Sequence, residues 1–140
     1  MKKIVSLLAA AAMLFSCGVC AYADDKVTNY GDQISLQYSY TQKVYSGISK
    51  SGNTVSCQSR VTGISGITTK ITITQEIQKK SGTSWSSING RGTTVFNSYA
   101  NFSYSYSNLA SGTYRVKTIA KVYSGSNYET ITAYSSTVSV

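Results

Sequence analysis

The sequence predicts an all-β domain in which two antiparallel sheets pack face to face. Apolar and polar residues alternate with a period of two along the chain, and no segment after residue 23 has the apolar spacing of an amphipathic helix. Short clusters of Ser, Gly, Asn and Thr separate the alternating runs. Seven to eight short strands joined by such turns, without helices to cover a sheet, indicate an antiparallel two-sheet sandwich.

The N-terminus has the features of a cleaved secretory signal peptide over residues 1–23. Two lysines follow Met1, an apolar run covers residues 4–15, and Ala21-Tyr22-Ala23 forms a small-x-small cleavage site. The apolar run is shorter than the roughly 20 residues needed to span a bilayer. We therefore expect a secreted protein with no transmembrane segment in its mature chain, composed of a flexible N-terminal segment at 24–32 and a single β-sandwich domain at 33–140.

A second interpretation of the leader is a lipoprotein signal. Leu14-Phe15-Ser16-Cys17 places a small residue directly before a cysteine that could be acylated. Bulky Phe15 fits this signal less well than Ala21-Tyr22-Ala23 fits a conventional signal peptidase. A lipoprotein signal would give a lipid-anchored protein, whereas a conventional signal peptide would give a released one.

The first three strands are defined by residues that alternate onto one side. Before the turn at Ser51-Gly52-Asn53, one strand is expected to direct Ile34, Leu36, Tyr38, Tyr40, Val44 and Ile48 inward, and after the turn the next directs Val55, Cys57, Ser59 and Val61 inward. A turn at 63–66 precedes an isoleucine-rich strand. Its inward residues are Ile67, Thr69, Ile71, Ile73, Gln75 and Ile77, and its outward residues are Thr68, Lys70, Thr72, Thr74, Glu76, Gln78 and Lys80.

The second half of the domain follows the same logic. Ser81-Gly82-Thr83 turns the chain into a strand with Trp85 and Ile88, and Asn89-Gly90-Arg91-Gly92 is interpreted as the next break. The following strands direct inward Phe102, Tyr104 and Tyr106, and then Tyr114, Val116, Thr118, Ala120 and Val122. In the last strand Ile131 and Ala133 differ in parity from Val138 and Val140, which predicts a bulge near Ser135-Ser136.

The segment Leu109-Ala110-Ser111-Gly112-Thr113-Tyr114 resembles the tyrosine corner of immunoglobulin-like and fibronectin type III domains. The resemblance implies that the Tyr114 ring packs at a sheet edge and that its hydroxyl bonds nearby backbone. Cys57 falls where an antibody domain has its first cysteine, but Val116 occupies the partner position. Trp85 also lies one strand later than the core tryptophan of antibody domains, so the likeness is to the disulfide-free, fibronectin-like branch.

The hairpin Lys79-Lys80-Ser81-Gly82-Thr83-Ser84-Trp85 resembles those of small secreted proteins of Gram-positive bacteria that have no assigned activity. This likeness covers most of the mature chain. It implies an extracellular setting but no specific chemistry, because β-sandwiches host many functions.

Residue types needed for most enzymatic chemistry are absent or scattered. The chain has no histidine, which excludes Ser-His-Asp, Cys-His and histidine-ligated zinc sites. Cys57 is expected to be a buried small hydrophobe, and the five carboxylates form neither a glycosidase pair nor a calcium loop. We therefore expect no enzyme activity, catalytic residues, cofactor or metal.

Charge and tyrosine content point instead to binding. Losing Lys2 and Lys3 with the leader leaves 11 basic and 5 acidic residues, a net charge of 11 − 5 = +6, which favours anionic partners. The outward parity of the last hairpin collects basic and aromatic residues, and a fibronectin-like sheet would place Lys70, Thr72 and Glu76 beside them. The candidate interaction face comprises Arg115, Lys117, Ile119, Lys121, Tyr123, Tyr128, Thr130, Thr132 and Tyr134. An ordinary solvated sheet face is the alternative interpretation.

The leading hypothesis is a secreted, non-enzymatic binding or adhesion module for an anionic cell-surface polymer or a protein partner. One alternative is a carbohydrate-binding sandwich that uses Trp85 and nearby tyrosines as a platform for glycan stacking. Another is an extracellular structural subunit that self-associates through strand edges. Proline in an edge strand protects it against such pairing, and this chain has no proline. Nucleic acid is not expected as a partner, because the basic residues are spread over several strands.

Overall fold

The computed structural model describes the backbone of residues 33–35 and all of residues 38–140. The predicted leader, the lipoprotein cysteine Cys17 and the N-terminal segment at 24–32 lie outside the described residues, as does Leu36. Within the described part, every regular element is a β-strand. The prediction of an all-β fold is therefore confirmed.

Eight strands form two antiparallel sheets that pack as a sandwich, with the orders β1-β2-β3-β6 and β5-β4-β7-β8. The strands are β1 (Gln33–Ser35), β2 (Thr41–Ser51), β3 (Thr54–Gly63), β4 (Lys70–Ser81), β5 (Ser84–Val95), β6 (Tyr99–Ser107), β7 (Thr113–Ser124) and β8 (Asn127–Ser139). Strand β5 pairs with β4 instead of joining the sheet of β2 and β3. In constant-type immunoglobulin domains strand D joins the sheet of strands A, B and E, so the placement of β5 beside β4 differs from that arrangement.

Two apolar clusters fill the space between the sheets. The larger one contains Val44, Val61, Ile71, Ile73, Ala100, Ala120, Val122, Ile131 and Ala133, with Tyr38, Tyr40, Val95 and Phe102 at its margin. The other contains Val55, Cys57, Ile77, Tyr106, Tyr114 and Val116, with Tyr104 among the partly buried side chains that pack against it. The alternating residues of β3 and β7 therefore face inward as predicted.

A chain of hydrogen bonds lies within the core and joins the two sheets. Gln75 Nε2 donates to Ser59 Oγ at 2.8 Å, and Ser59 Oγ lies 2.7 Å from Thr118 Oγ1. Thr118 Oγ1 donates to Ser46 Oγ at 2.9 Å, and Ser46 Oγ donates to the carbonyl oxygen of Val116 at 3.2 Å. Because each hydroxyl has one proton, Ser59 must be the donor to Thr118. We call this series of bonds the polar chain.

The predicted bulge and the tyrosine contact both occur. Arg115 pairs with Thr137 whereas Lys117 pairs with Tyr134, so two residues of β8 lie opposite Val116. One of the two is Ser135, whose Oγ accepts the N–H of Val116 at 2.8 Å. Tyr114 is buried, and its hydroxyl donates to the carbonyl oxygen of Ala110, the contact that a tyrosine corner makes.

The first predicted strand is wrong as a continuous element. Strand β1 ends at Ser35 and folds back on β2, so that Ile34 pairs with Val44. The carboxylate of Glu129 on β8 accepts hydrogen bonds from the backbone N–H groups of Ser39 and Tyr40 and from the hydroxyl of Thr41. These three donors hold the bend that ends the extended segment before β2.

The beginning of the isoleucine-rich strand is also different from the prediction. Ile67 is 43% exposed, Thr69 is exposed, and Thr68 is buried instead. The Thr68 hydroxyl donates to the carbonyl oxygen of Tyr40 at 2.6 Å and accepts the N–H of Ile64 at 3.0 Å. These two bonds fix a turn before Lys70, so the strand begins three residues later than its apolar pattern suggests.

The predicted break at Asn89–Gly92 is wrong, because these residues lie inside β5. The pairing of β4 with β5 continues through them and shifts register only between Ile77 and Gln78. At Gly92 a Cβ atom would collide with the carbonyl oxygen of Ile73, so glycine is needed for close strand approach. Gly92 therefore marks a close approach of β5 to β4 and not a turn.

Candidate functional site

The predicted interaction residues share the outer face of the β5-β4-β7-β8 sheet. On β7, Arg115, Lys117, Ile119, Lys121 and Tyr123 alternate with fully buried residues. Their neighbours across the β7–β8 ladder include Tyr134, Thr132, Thr130 and Tyr128, which pair in that order with Lys117, Ile119, Lys121 and Tyr123. On the other side, β4 places Lys70 beside Tyr123 and Glu76 beside Lys117. We call this surface the basic face.

At one end of the basic face, Arg115 lies between two aromatic rings. Its guanidinium carbon is 4.3 Å from the centre of the Trp85 ring and 4.2 Å from that of Tyr134. Its Nε donates to Gln78 Oε1 at 2.8 Å, and Gln78 is buried although it was predicted to be outward and wet. Guanidinium groups bind aromatic faces through charge and planar stacking. Arg115 is therefore held in one orientation.

This stack was not evident from the sequence. Trp85 lies on β5 and Arg115 lies on β7, with β4 between them. Trp85 belongs to neither core cluster and is half-buried against the guanidinium. The structure thus brings the predicted glycan platform and the predicted basic residues onto one surface.

The other end of the basic face repeats the pairing of cations with rings. Lys70 Nζ is 3.9 Å from the centre of the Tyr123 ring, and Lys121 Nζ is 5.1 Å from that of Tyr128. The two tyrosine rings also contact each other, with centres 5.2 Å apart. Each cation–π contact at an exposed site contributes about 0.5–1 kcal/mol. Such contacts restrict the lysines while leaving ammonium protons for an anionic ligand.

Lysine and arginine outnumber carboxylates on this surface. Lys117 Nζ lies 4.0 Å from Glu76 Oε2, and Ser87 donates to the same oxygen at 2.6 Å. The other described carboxylate, Glu129, binds the bend before β2 and lies away from this face. The four cations Lys70, Arg115, Lys117 and Lys121 therefore face solvent beside a single acidic side chain.

Cys57 does not form a reactive site. Its side chain is 1% exposed within the second core cluster. Burial raises the pKa of the Cys57 thiol to about 12, because the charged thiolate loses its hydration. The thiol is therefore protonated at neutral pH, which confirms its prediction as an inward, small apolar residue.

Comparison with known proteins adds no relative. No protein-family model, curated protein or solved structure matches this chain. The described residues contain no helix long and apolar enough to cross a membrane. The geometry of the surfaces is therefore the basis for the function of this protein that we infer.

Proposed function

We propose that this protein is a secreted, non-enzymatic binding or adhesion module whose basic face holds an anionic polymer of a cell surface. The observation that carries the proposal is the arrangement of three cations, Lys70, Arg115 and Lys121, each held over aromatic rings on one side of one sheet. Pre-positioned charges lose less side-chain entropy when a ligand binds. An extracellular protein with an acidic surface is the other partner that this chemistry fits.

The spacing of the cations suits an extended ligand. Alternate residues of a strand lie about 6.4–6.8 Å apart, so Arg115 and Lys117 are separated by one such step and Lys121 by two more. Tyr128 and Tyr134 on β8 flank this row through pairing with Tyr123 and Lys117. A linear polyanion lying along β7 would contact the charged row and the rings beside it.

Charge reversal on β7 tests this proposal. In Lys117→Glu/Lys121→Glu, the loss of two cations near an anionic surface is worth about 2 kcal/mol, so we expect at least about thirtyfold weaker binding at low salt. The measurement is co-sedimentation of the protein lacking residues 1–23 with Gram-positive cell walls, before and after removal of their anionic polymers, at low and high salt. Wild-type binding should fall with salt and after stripping.

The matched control is Lys50→Glu/Arg91→Glu, which changes the net charge equally at two exposed sites off the basic face. This variant should sediment with the walls almost as wild type does. Equal loss of binding in both double variants would mean that net charge alone drives adsorption, and unchanged binding in Lys117→Glu/Lys121→Glu would reject the face.

A carbohydrate platform at Trp85 is the second candidate function, favoured by the position of this ring at the end of the basic face. Trp85→Ala should abolish retention on insoluble neutral polysaccharides and leave the unfolding midpoint nearly unchanged, because Trp85 lies outside the core clusters. Retention of Trp85→Ala equal to that of wild type would reject the platform. A large drop in midpoint would show instead that the ring is a structural element.

Self-association through strand edges has weaker support in the structure. Strand β5 forms an edge of its sheet and is exposed along most of its length. However, Arg91 pairs with inward-facing Gln75 and places its guanidinium 4.0 Å from the centre of the Tyr104 ring. A charge on the inner side of an edge strand is a common protection against edge-to-edge pairing.

A further inference from the structure

A depression crosses the outer face of the β1-β2-β3-β6 sheet, opposite the basic face. Outward residues of β2, β3 and β6 align in rows, which are Lys43–Thr62–Tyr99, Tyr45–Arg60–Asn101, Gly47–Gln58–Ser103 and Ser49–Ser56–Ser105. The last two rows consist mainly of glycine and serine, whereas the first two contain long and aromatic side chains. The surface therefore drops beyond Tyr45 and Arg60.

Two grooves meet at Tyr45. The serine groove has a volume of about 320 Å³ and is lined by Tyr45, Gln58 and the four serines of the outer face, Ser49, Ser56, Ser103 and Ser105. The cationic groove has a volume of about 220 Å³ and is lined by Gln42, Lys43, Tyr45, Arg60, Thr62 and Tyr99. Because Tyr45 lines both grooves, one extended ligand can occupy them together.

Gly47 explains how Tyr45 joins the grooves. A Cβ atom at Gly47 would lie within 3 Å of three atoms of the Tyr45 side chain. The missing side chain therefore lets the Tyr45 ring lie along the sheet instead of projecting from it. The ring is also covered by Arg60, whose guanidinium carbon is 4.5 Å from the ring centre.

The serine groove offers hydrogen-bonding groups but no charge. Its hydroxyl groups each donate and accept, and the Gln58 amide does both through separate atoms. The Oγ atoms of Ser56 on β3 and Ser105 on β6 lie 3.1 Å apart, so these hydroxyl groups form a short row on the groove floor. A surface with both donors and acceptors matches the hydroxyl groups of a sugar.

The cationic groove points to a carboxylate. Lys43 and Arg60 both line it, and none of its described lining residues is acidic. The Nε of Arg60 is buried and has no hydrogen-bond partner among the described residues. Buried donors without partners are rare in folded proteins, so the Arg60 guanidinium has hydrogen-bonding capacity that the described residues do not use. A guanidinium binds a carboxylate through two parallel hydrogen bonds.

We propose that the two grooves form one site for an acidic oligosaccharide. A uronic acid carboxylate binds Arg60 and Lys43, its ring packs on Tyr99, which is 50% exposed, and the neighbouring sugars bind the serine groove. The four rows span about 20 Å along the strands, which is longer than one sugar ring. This site lies on the sheet opposite the basic face and does not depend on that face binding anything.

Nuclear magnetic resonance titration with tetragalacturonic acid and its fully methyl-esterified form tests the site. The second probe replaces each carboxylate with an uncharged methyl ester and keeps the sugar rings and their hydroxyl groups. We expect the acid to shift amide signals on β2, β3 and β6, and Arg60→Gln to weaken its binding about tenfold or more. Arg60→Gln should leave the weaker binding of the ester unchanged, whereas Ser103→Leu, which fills the serine groove, should weaken both probes.

Arg91→Gln, which removes the same charge at an exposed position outside both surfaces, is the control and should bind tetragalacturonic acid as wild type does. Lys43→Gln, at an exposed position, serves as a second variant if Arg60→Gln perturbs the fold. Signal changes confined to β4, β7 and β8 would overturn the proposal, as would equal affinity of wild type, Arg60→Gln and Lys43→Gln for the acid. Absence of any shift with both probes would overturn it as well.

Discussion

Replacing Thr118 with valine is expected to lower the free energy of unfolding by about 2–3 kcal/mol, although the two side chains have nearly the same shape. Thr118 is the middle member of the polar chain, where it accepts from Ser59 and donates to Ser46. Valine removes both functions and leaves the Ser59 proton and a lone pair of Ser46 without partners. Each unsatisfied buried polar group costs about 1–3 kcal/mol.

Urea unfolding of wild type and variants measures this effect. The matched control is Thr74→Val, the same substitution at an exposed position on β4, which should change stability by less than about 0.5 kcal/mol. Thr118→Ser keeps the hydroxyl and loses one methyl group, so it should lower the free energy of unfolding by about 1 kcal/mol. If Thr118→Val and Thr74→Val were equally stable, the polar chain would contribute nothing to folding.

The polar chain links the two sheets, a role that a disulfide has in antibody domains. Antibody domains link their sheets by a disulfide between strands B and F. Here β3 and β7 hold those positions, and Ser59 on β3 bonds Thr118 on β7 across the sandwich. Cys57 is two residues away on β3 and is a free thiol. A slip of one residue in β3 or β7 would turn Ser59 or Thr118 outward, so the polar chain also favours the observed strand register.

Much of the fold follows from parity alone. Strands β3 and β7 alternate strictly, so their inward residues can be assigned without knowing their partners. The change of parity between Ala133 and Val138 similarly requires an extra residue, and the bulge at Ser135–Ser136 supplies it. In these segments local pattern and tertiary packing agree.

Prediction fails where distant groups decide the structure. Nothing local to Ser39 and Tyr40 indicates that Glu129, about 90 positions later, accepts their N–H groups and bends the chain. The segment Asn89–Gly92 has the composition of a turn, but pairing along the full length of β4 keeps it in a strand. Tertiary contacts override composition in both places.

The candidate site was predicted only in part for the same reason. Outward parity identifies the basic residues of β7, because strand neighbours are two positions apart. Contact of Trp85 with Arg115 depends on two strand pairings and on the shift at Ile77–Gln78. No spacing along the chain encodes that contact, so the restriction of Arg115 by two rings became evident only from the structure.

Arg115→Met should separate the contribution of the stacked guanidinium to polymer binding from the contribution of side-chain volume at this position. Methionine retains a flexible apolar side chain between Trp85 and Tyr134 but removes the charge and the donor to Gln78. Loss of one cation near an anionic surface costs about 1 kcal/mol, so binding of an anionic polymer should weaken about fivefold at low salt. The unpartnered Gln78 oxygen should lower stability by about 1 kcal/mol or more.

Trp85 is the only tryptophan in the chain, so its fluorescence reports directly on this stack. Titrating wild type with a soluble anionic polymer should change the emission of Trp85 as the polymer contacts Arg115, and Arg115→Met should greatly reduce that change. Arg91→Met is the matched control, because Arg91 also covers a ring, that of Tyr104, but lies off the basic face. Its binding curve should coincide with that of wild type. Equal weakening by both substitutions would mean that Arg115 acts only through net charge and not through its position between the rings.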